Sequence, residues 1–273
     1  MNKKGNLLRL IIALILTIIL IAPIYFIFIY GFQSVNEIYH IPPYFVPPHF
    51  NFDYYAEAWN GLEPYFINSI IISLGTLMLT LIVAVPASFA LSIFKLKTNN
   101  FFGFLLAFVQ FLPAAAVVIP MFLIFYHMRL SNTYFGDMLG IASITIPFSS
   151  LLLISYMRSE IPYELIESAQ LDGANLLIIF TRIVIPLSRN SIITSGLLSF
   201  LMAWGDFIFS LSLLQSNNLQ PISVGLYTFI GAYGVQWNLI MAGGMLYSII
   251  PIIAVLIGGR YLTSGLTAGA LKE

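Results

Sequence analysis

Long apolar runs alternate with short polar joints along this chain, and the runs are too long for a water-soluble core. A helix needs about 20 apolar residues to cross roughly 30 Å of hydrocarbon. Six runs meet that length: 10–32, 66–94, 101–126, 135–157, 190–214 and 239–262. The short alternating strands of a membrane barrel are missing. The pattern predicts an all-α membrane protein with six transmembrane helices. The first run follows Lys3, Lys4 and Arg9, as the core of a signal peptide would. Its apolar stretch is too long and no small-residue cleavage site follows, so it reads as a retained helix. The chain then divides after its first long loop. Residues 1–65 hold the N-terminal helix and that loop, and residues 66–273 hold a five-helix core.

Composition agrees and charge supplies the orientation. The 273 residues are 59% hydrophobic and 8% charged, against about 25% charged in soluble domains. Net charge is zero, which leaves no basic surface for nucleic acid. The chain has no cysteine, so disulfides, thiol catalysis and thiolate metal sites are excluded. Its three histidines (His40, His49, His127) are far apart and suggest no metal site. Lys3, Lys4, Arg9, Lys95, Lys97, Arg158, Arg182, Arg189, Arg260 and Lys272 fall at one set of helix ends, and Arg129 alone at the other. The positive-inside rule therefore puts both termini and the 158–189 loop in the cytoplasm. The outer loops receive Glu37, Asp53, Glu57, Glu63, Asp137 and the histidines.

Five of the six runs contain proline: Pro23, Pro86, Pro113 with Pro120, Pro147, and Pro251. Each removes a backbone donor and can kink its helix. Ala84, Ser88 and Ser92 recur at four-residue spacing, which suits close helix packing. One acid, Asp206, falls well inside a run, beside Trp204. A carboxylate at that depth should face the protein interior or water. Two readings stand, a polar lining on a solute path or a structural acid bonded to neighbouring helices.

The first outer loop, 33–65, carries the paired prolines of Ile41-Pro42-Pro43-Tyr44-Phe45-Val46-Pro47-Pro48, which favour extended backbone. A short amphipathic helix at 53–59 follows. The last outer loop, about 215–238, is uncharged and ends in Tyr233, Gly234, Val235, Gln236 and Trp237. Aromatic faces can stack on sugar rings while Gln236 bonds hydroxyls. An interfacial aromatic belt is the alternative.

The 158–189 loop predicts a helix, a turn and a second helix. Pro162 suits the first helical position, and Glu164 in the first turn complements the helix dipole. Ile166, Ala169 and Gly173 share one face, and Glu164 and Glu167 another. Asp172-Gly173 is a turn signal, Asn175 a cap for the second helix, and Pro186 its end. A surface-lying helix would be rich in Lys and Arg. This one carries acids, which favours a protein partner.

At this loop the residues become familiar. Glu167-Ser168-Ala169, three residues, Gly173, nine residues and Ile183-Val184-Ile185-Pro186 resemble the signature of binding-protein-dependent ABC importer permeases. In the family pattern alanine stands at the place of Ser168 and leucine at that of Ile185. More of the chain is similar to the maltose-type carbohydrate branch. These pieces are Tyr65-Phe66-Ile67-Asn68-Ser69, Pro86-Ala87-Ser88, Asn132-Thr133-Tyr134, Ile161-Pro162-Tyr163-Glu164-Leu165, Leu171-Asp172-Gly173-Ala174, Pro221-Ile222-Ser223-Val224-Gly225-Leu226 and the tail Gly265-Leu266-Thr267-Ala268-Gly269-Ala270-Leu271-Lys272. Trp204-Gly205-Asp206-Phe207 resembles a family Trp-Asn-Glu-Phe stretch with two substitutions.

The resemblance implies a type I ABC importer permease fold in a prokaryotic cytoplasmic membrane. It implies a second, related permease as partner, usually a different chain, with two ABC ATPase subunits, an extracytoplasmic solute-binding protein and a sugar substrate. ATP and magnesium would be bound by the ATPases and no cofactor by this chain, which has no Gly-x-x-x-x-Gly-Lys-Ser/Thr loop. Glu164, Glu167, Ser168, Ala169, Asp172, Gly173, Ile183 and Pro186 would form the ATPase-coupling site, with Ala169 and Gly173 allowing close approach. Trp204, Asp206, Tyr233, Gln236 and Trp237 are candidates for the solute path. A secondary transporter, which would need its own coupling-ion site, or a channel-forming subunit is the alternative.

Overall fold

The computed structural model describes residues 3–94, 98–231 and 234–267, and side chains within 9–261 of these. In chain order the elements are α1 (Lys3–Tyr30), α2 (Val35–Ile38), α3 (Asp53–Ile93), α4 (Asn99–Gln110), α5 (Ala114–His127), α6 (Tyr134–Glu160), α7 (Tyr163–Leu171), α8 (Leu176–Ile179), a π-helical segment Phe180–Val184, α9 (Ile185–Leu187), α10 (Arg189–Trp204), α11 (Ile208–Leu213), α12 (Ile222–Gly225), β1 (Ile230–Gly231), β2 (Gly234–Val235) and α13 (Trp237–Thr267). Among the described residues four helices are long and apolar enough to cross a membrane, or up to six if each of two bent pairs, Asn99–Gln110 with Ala114–His127 and Leu176–Leu187 with Arg189–Trp204, is one span. The six expected runs are largely helical, but the third and fifth are not single helices.

The third run breaks between α4 and α5 with a 99° bend. Pro113 has no N–H and biases Leu112 away from helical backbone. It sits extended, at φ −66° and ψ 129°, as the residue before α5. The Gln110 side-chain amide donates to the Ile144 carbonyl at 3.1 Å and ties the break to α6. The fifth run, expected over 190–214, stops at Trp204 and resumes as α11. Conversely, the short helix expected at 53–59 and the second run form one 41-residue helix, α3. At 1.5 Å per residue α3 is about 60 Å long, twice the hydrocarbon thickness. Its first turns, with Asp53, Glu57 and Glu63, therefore extend beyond the lipid.

The contacts separate two compact units. One comprises Met1–Pro64 and Gly225–Ile249. In it α1 exposes apolar side chains on every side, which suits lipid contact. Phe32 gathers Phe28, Phe50, Phe52 and Tyr55 with ring centroids 4.7 to 5.4 Å away. The Tyr55 hydroxyl donates to the Phe28 carbonyl at 3.0 Å. Ala58, Leu239 and Ala242 form a small core beside Phe229 and Leu246.

The other unit comprises Tyr65–Val224 and Ile250–Glu273. Its helices bury small polar residues and expose apolar ones. Ser73, Thr76, Thr80 and Ser88 of α3, Thr145, Ser149 and Ser150 of α6, and Ser191, Thr194, Ser195 and Ser199 of α10 are all buried. The hydroxyls of Thr80 and Thr145 lie 2.7 Å apart and those of Ser149 and Ser199 2.8 Å apart. Ser88 Oγ donates to the Ser150 carbonyl at 3.1 Å. Small side chains let helix backbones approach, and each such bond contributes about 0.6 kcal/mol in lipid. Ala84 and Ser88 lie on this packing face as their spacing implied.

At one end of this unit the chain is stitched by side-chain bonds. Asn68 Nδ2 donates to the carbonyls of Asn218 and Gln220 at 2.9 and 2.8 Å, and the Tyr134 hydroxyl donates to Asn68 Oδ1 at 2.6 Å. The Ile222 N–H donates to Ser69 Oγ at 2.8 Å. Asn132, at φ 57°, accepts the N–H groups of Gln215 and Ser216. Three of the sequence pieces singled out above thus meet here as structural ties.

Candidate functional site

The 158–189 loop folds as the expected helix, turn and second helical run, but Pro186, expected to end the second helix, lies within that run, which continues to Leu187. Ile161 and Pro162 separate α6 from α7. Pro162 is the extended residue before α7 rather than its first helical position, at φ −62° and ψ 134°. At the other end of α7, Ala174 N–H donates to the Ala169 carbonyl at 2.9 Å and Gly173 N–H to Gln170 at 3.0 Å. These two bonds make a Schellman cap, which needs a left-handed residue after the C-cap. Gly173 supplies it at φ +83°, and a Cβ there would meet nothing within 4 Å. Asn175 Oδ1 accepts the Ile178 N–H at 2.9 Å and caps α8.

Pro186 shapes the rest of the loop. It lacks an N–H and its ring crowds the carbonyl four residues earlier. The helix widens into π geometry just before it, and Ile185 N–H reaches back to the Phe180 carbonyl. The run from Leu176 to Leu187 then meets α10 at a 75° bend.

Burial divides the faces of α7. Ile166 is 1% exposed and packs in a core with Ile179, Val184, Ala84, Val85, Phe89, Ile93, Leu153 and Met157. Ala169 and Ile183 are partly buried against that same core. Glu164, Glu167, Ser168, Asp172, Gly173 and Pro186 are exposed. The loop is thus an acidic knob seated on an apolar base. Two bonds brace the base: Ser191 Oγ donates to the Glu160 carboxylate at 2.9 to 3.0 Å, and Arg158 donates to the Leu91 carbonyl at 3.0 Å.

The candidates for the solute path lie in different places. Trp204 is fully buried, edge-on to Phe66 at 5.6 Å and stacked near Phe200 at 5.9 Å. Asp206 is partly exposed, in the break between α10 and α11. Asp206 Oδ2 accepts both the N–H and the hydroxyl of Ser210 at 3.0 Å, and Ser223 Oγ donates to its backbone carbonyl. Asp137, expected in an outer loop, is instead in the first turn of α6 and fully buried. Its Oδ2 lies 3.0 Å from Ser210 Oγ. Of the two readings for Asp206, the hydrogen bonds describe a structural acid, while its partial exposure leaves one edge open to a path.

Gln236 and Trp237 belong to the other unit. Gln236 lines an open cleft of about 530 Å³ with Val35, Tyr39, Thr228, Phe229, Gly231, Gly234 and Val235. Ser34 and Glu37 form a reciprocal capping box that fixes α2, and with it Tyr39. The Tyr39 hydroxyl accepts the Trp237 indole N–H at 2.6 Å. The antiparallel β1–β2 ladder forms one edge of the cleft and has no counterpart in the all-α expectation. Tyr233 lies outside the described residues.

Residues 82–264 match the family described as binding-protein-dependent transport system inner membrane component. This chain belongs to that family. The permease is 30% identical to the glucose import system permease protein of Saccharolobus solfataricus, with 93% of this chain and 91% of that one aligned. It is also 30% identical to the arabinooligosaccharides transport system permease protein of Halalkalibacterium halodurans, over 81% of this chain and 78% of the relative. Its fold matches a bacterial ABC transporter involved in import of the acidic polysaccharide alginate, with a TM-score of 0.77 at 24% identity, over 95% of this chain and 98% of that one.

Family membership makes the permease a multi-pass inner-membrane subunit of a binding-protein-dependent ABC importer. Such subunits are not enzymes and hold no cofactor, since ATP is bound by partner ATPases. ATPase and solute-binding partners follow from the same assignment. The secondary-transporter and channel readings are set aside. Of the site residues, the structure gathers the coupling-loop set on one knob and scatters the path set. Sequence reading missed Asp137. The signal for it was there: the run expected over 135–157 already contains Asp137, and Thr133, which accepts the Gly136 N–H as an N-cap, puts Asp137 in the first turn of α6.

Proposed function

We propose that this permease pairs with a different, related permease to import a carbohydrate, and that the carbohydrate is an oligosaccharide. The named substrates of the two relatives, glucose and arabinooligosaccharides, support the sugar class. The cleft beside Gln236, rimmed by Tyr39 and Phe229, offers aromatic faces and an amide of the kind that sugars use. A phosphate ester would want a basic lining, and no Lys or Arg lies deep in an apolar run. Residues 66–273 carry the permease core in this reading, and residues 1–65 add a lipid-facing helix and an external loop. Trp204, Asp206, Tyr233, Gln236 and Trp237 are assigned to the solute path.

The coupling role rests on one observation, the exposed Glu164 and Glu167 above the buried Ile166. An ATPase cleft with basic groups takes the acidic face of α7. ATP closes the two ATPases and draws the knobs of the paired permeases together. The spans swing outward-open, the solute enters from the docked binding protein, and hydrolysis reverses the motion. Energy couples only if the knob makes different contacts in the two states.

Glu167→Arg tests this assignment. We expect lower coupled uptake and ATPase stimulation at equal membrane levels, and unchanged uptake would count against it. Native co-purification tests the assembly, with an ATPase and a second permease expected. Recovery of this permease with a second copy of itself would replace the heterodimer by a homodimer. The co-purified binding protein, screened against a sugar panel, decides the substrate.

A further inference from the structure

Asp137 and Asp206 share a single hydroxyl, and the hydrogen-bond arithmetic around it does not close with two ionised acids. Ser210 Oγ lies 3.0 Å from Asp137 Oδ2 and 3.0 Å from Asp206 Oδ2. A serine hydroxyl carries one proton and two lone pairs. With its one proton it makes a linear bond along one of these contacts, and the other is a full hydrogen bond only if the hydroxyl accepts there. An ionised carboxylate has nothing to donate, so both contacts close as full hydrogen bonds only with a proton on one of the two acids.

The surroundings say which. Asp206 Oδ2 also accepts the Ser210 N–H at 3.0 Å, and Asp206 is only partly buried. That is a carboxylate's environment. Asp137 is 0% exposed, and its Oδ1 has no hydrogen-bond partner among the described residues. Among the described residues the charged group that faces it is Asp206, a like charge. His127, at the end of α5, and Arg129 after it are both exposed. Tyr134, one turn earlier on α6, is committed to Asn68. α11 carries no charged residue, and on α10 the charged residue is Arg189, at the opposite end. A dry carboxylate with one bare oxygen and a like charge beside it is strongly disfavoured. The first-turn dipole of α6 is too small to offset that.

We propose that this acid pair is a binding site for one proton, held on Asp137. The proton comes from water as the protein folds. Asp137 Oδ2–H donates to Ser210 Oγ, and the Ser210 hydroxyl donates to Asp206 Oδ2. The chain of bonds runs one way, from the first turn of α6 to the break before α11. It lets α6 and α11 pack with one buried negative charge instead of two. The site is independent of which solute is carried.

The test is infrared spectroscopy of the purified complete transporter at neutral pH, in water and in deuterium oxide. The wild type should show a protonated carboxylic acid carbonyl band that shifts in deuterium oxide. Asp137→Asn, close to isosteric, should lose one such acid per copy of this chain. Persistence of the full band in that variant overturns the proposal. Asp137→Glu gives an independent arm should Asp137→Asn fold poorly. There the band should persist at a shifted frequency, and an unshifted band would place the proton on another acid and overturn the assignment.

Discussion

Gly173 separates two explanations for a glycine in the coupling loop. From sequence it reads as a small residue that lets a partner approach closely. The structure gives a conformational reason instead, φ +83° in a Schellman cap with open space where a Cβ would be. The two explanations order substitutions differently. Alanine in the left-handed region costs about 1–2 kcal/mol, a factor of roughly 5–30 in a local equilibrium. Asparagine is larger but tolerates that region far better. The rest of α7 is held by Ile166 in the core, so neither variant should unfold the chain. Gly173→Ala should open the last turn of α7 and lower coupled uptake several-fold, about 5-fold or more. Gly173→Asn should lose about 2-fold or less. The assay is solute uptake and stimulated ATP hydrolysis by the complete transporter in proteoliposomes, at equal permease content. Asparagine as harmful as alanine, or more so, would refute the conformational account and restore close approach.

Two substitutions probe the packing that positions the site. Gly136→Ala would drive a Cβ into the Leu130 carbonyl oxygen and bring it to 3.2 Å from Thr133 Oγ1. The backbone would have to shift, so we expect a loss of about 1–3 kcal/mol, read as a lower melting temperature in detergent, and an unchanged melting temperature would be contrary evidence. Ile166→Ala deletes a fully buried side chain under the knob and should cost about 2–5 kcal/mol. Limited proteolysis should then cut the 158–189 loop faster than in the wild type, and equal rates would mean that Ile166 does not hold α7 down.

What could be read from sequence followed the strength of the local signals. The six apolar runs were legible because crossing lipid demands length and composition together. The coupling loop was legible because Asn175, Gly173 and Pro186 each have a narrow conformational use. The breaks were not. Pro113 reads as a kink in a continuous helix, and hydropathy averaged across 111–113 gives no sign of a 99° bend. Gly205 and Asp206 sit among apolar neighbours, so the run continues through the point where α10 stops. The joining of 53–59 to the second run was also hidden, because Pro64 in the middle looks like punctuation. Asp137 went astray for a related reason. A polar residue near the end of an apolar run is assigned to the loop unless the cap before it, here Thr133, is given weight.

Where this permease is stiff and where it can bend follows from the same contacts. The link from α6 to α7 is two residues long, and one of them, Ile161, is buried. Ile166, Ile179 and Val184 sit in one close-packed cluster with side chains of α3 and α6. Packed interiors deform little, so a displacement of α7 carries the nearby ends of α3 and α6 with it. The Glu160–Ser191 bonds bring in the start of α10. Compliance must then lie where the helices are interrupted, at 111–113, at Ser188 and at 205–207. The first and last of these interruptions are held by polar contacts, Gln110 to Ile144 and the Asp206–Ser210–Asp137 chain. A neutral hydrogen bond contributes about 0.5–1.5 kcal/mol net and one to a charged group such as Asp206 about 1.5–3 kcal/mol, less than the many side chains of the apolar cluster beneath the knob together. A motion driven from α7 will therefore spend its displacement at the breaks and leave the base of the knob intact.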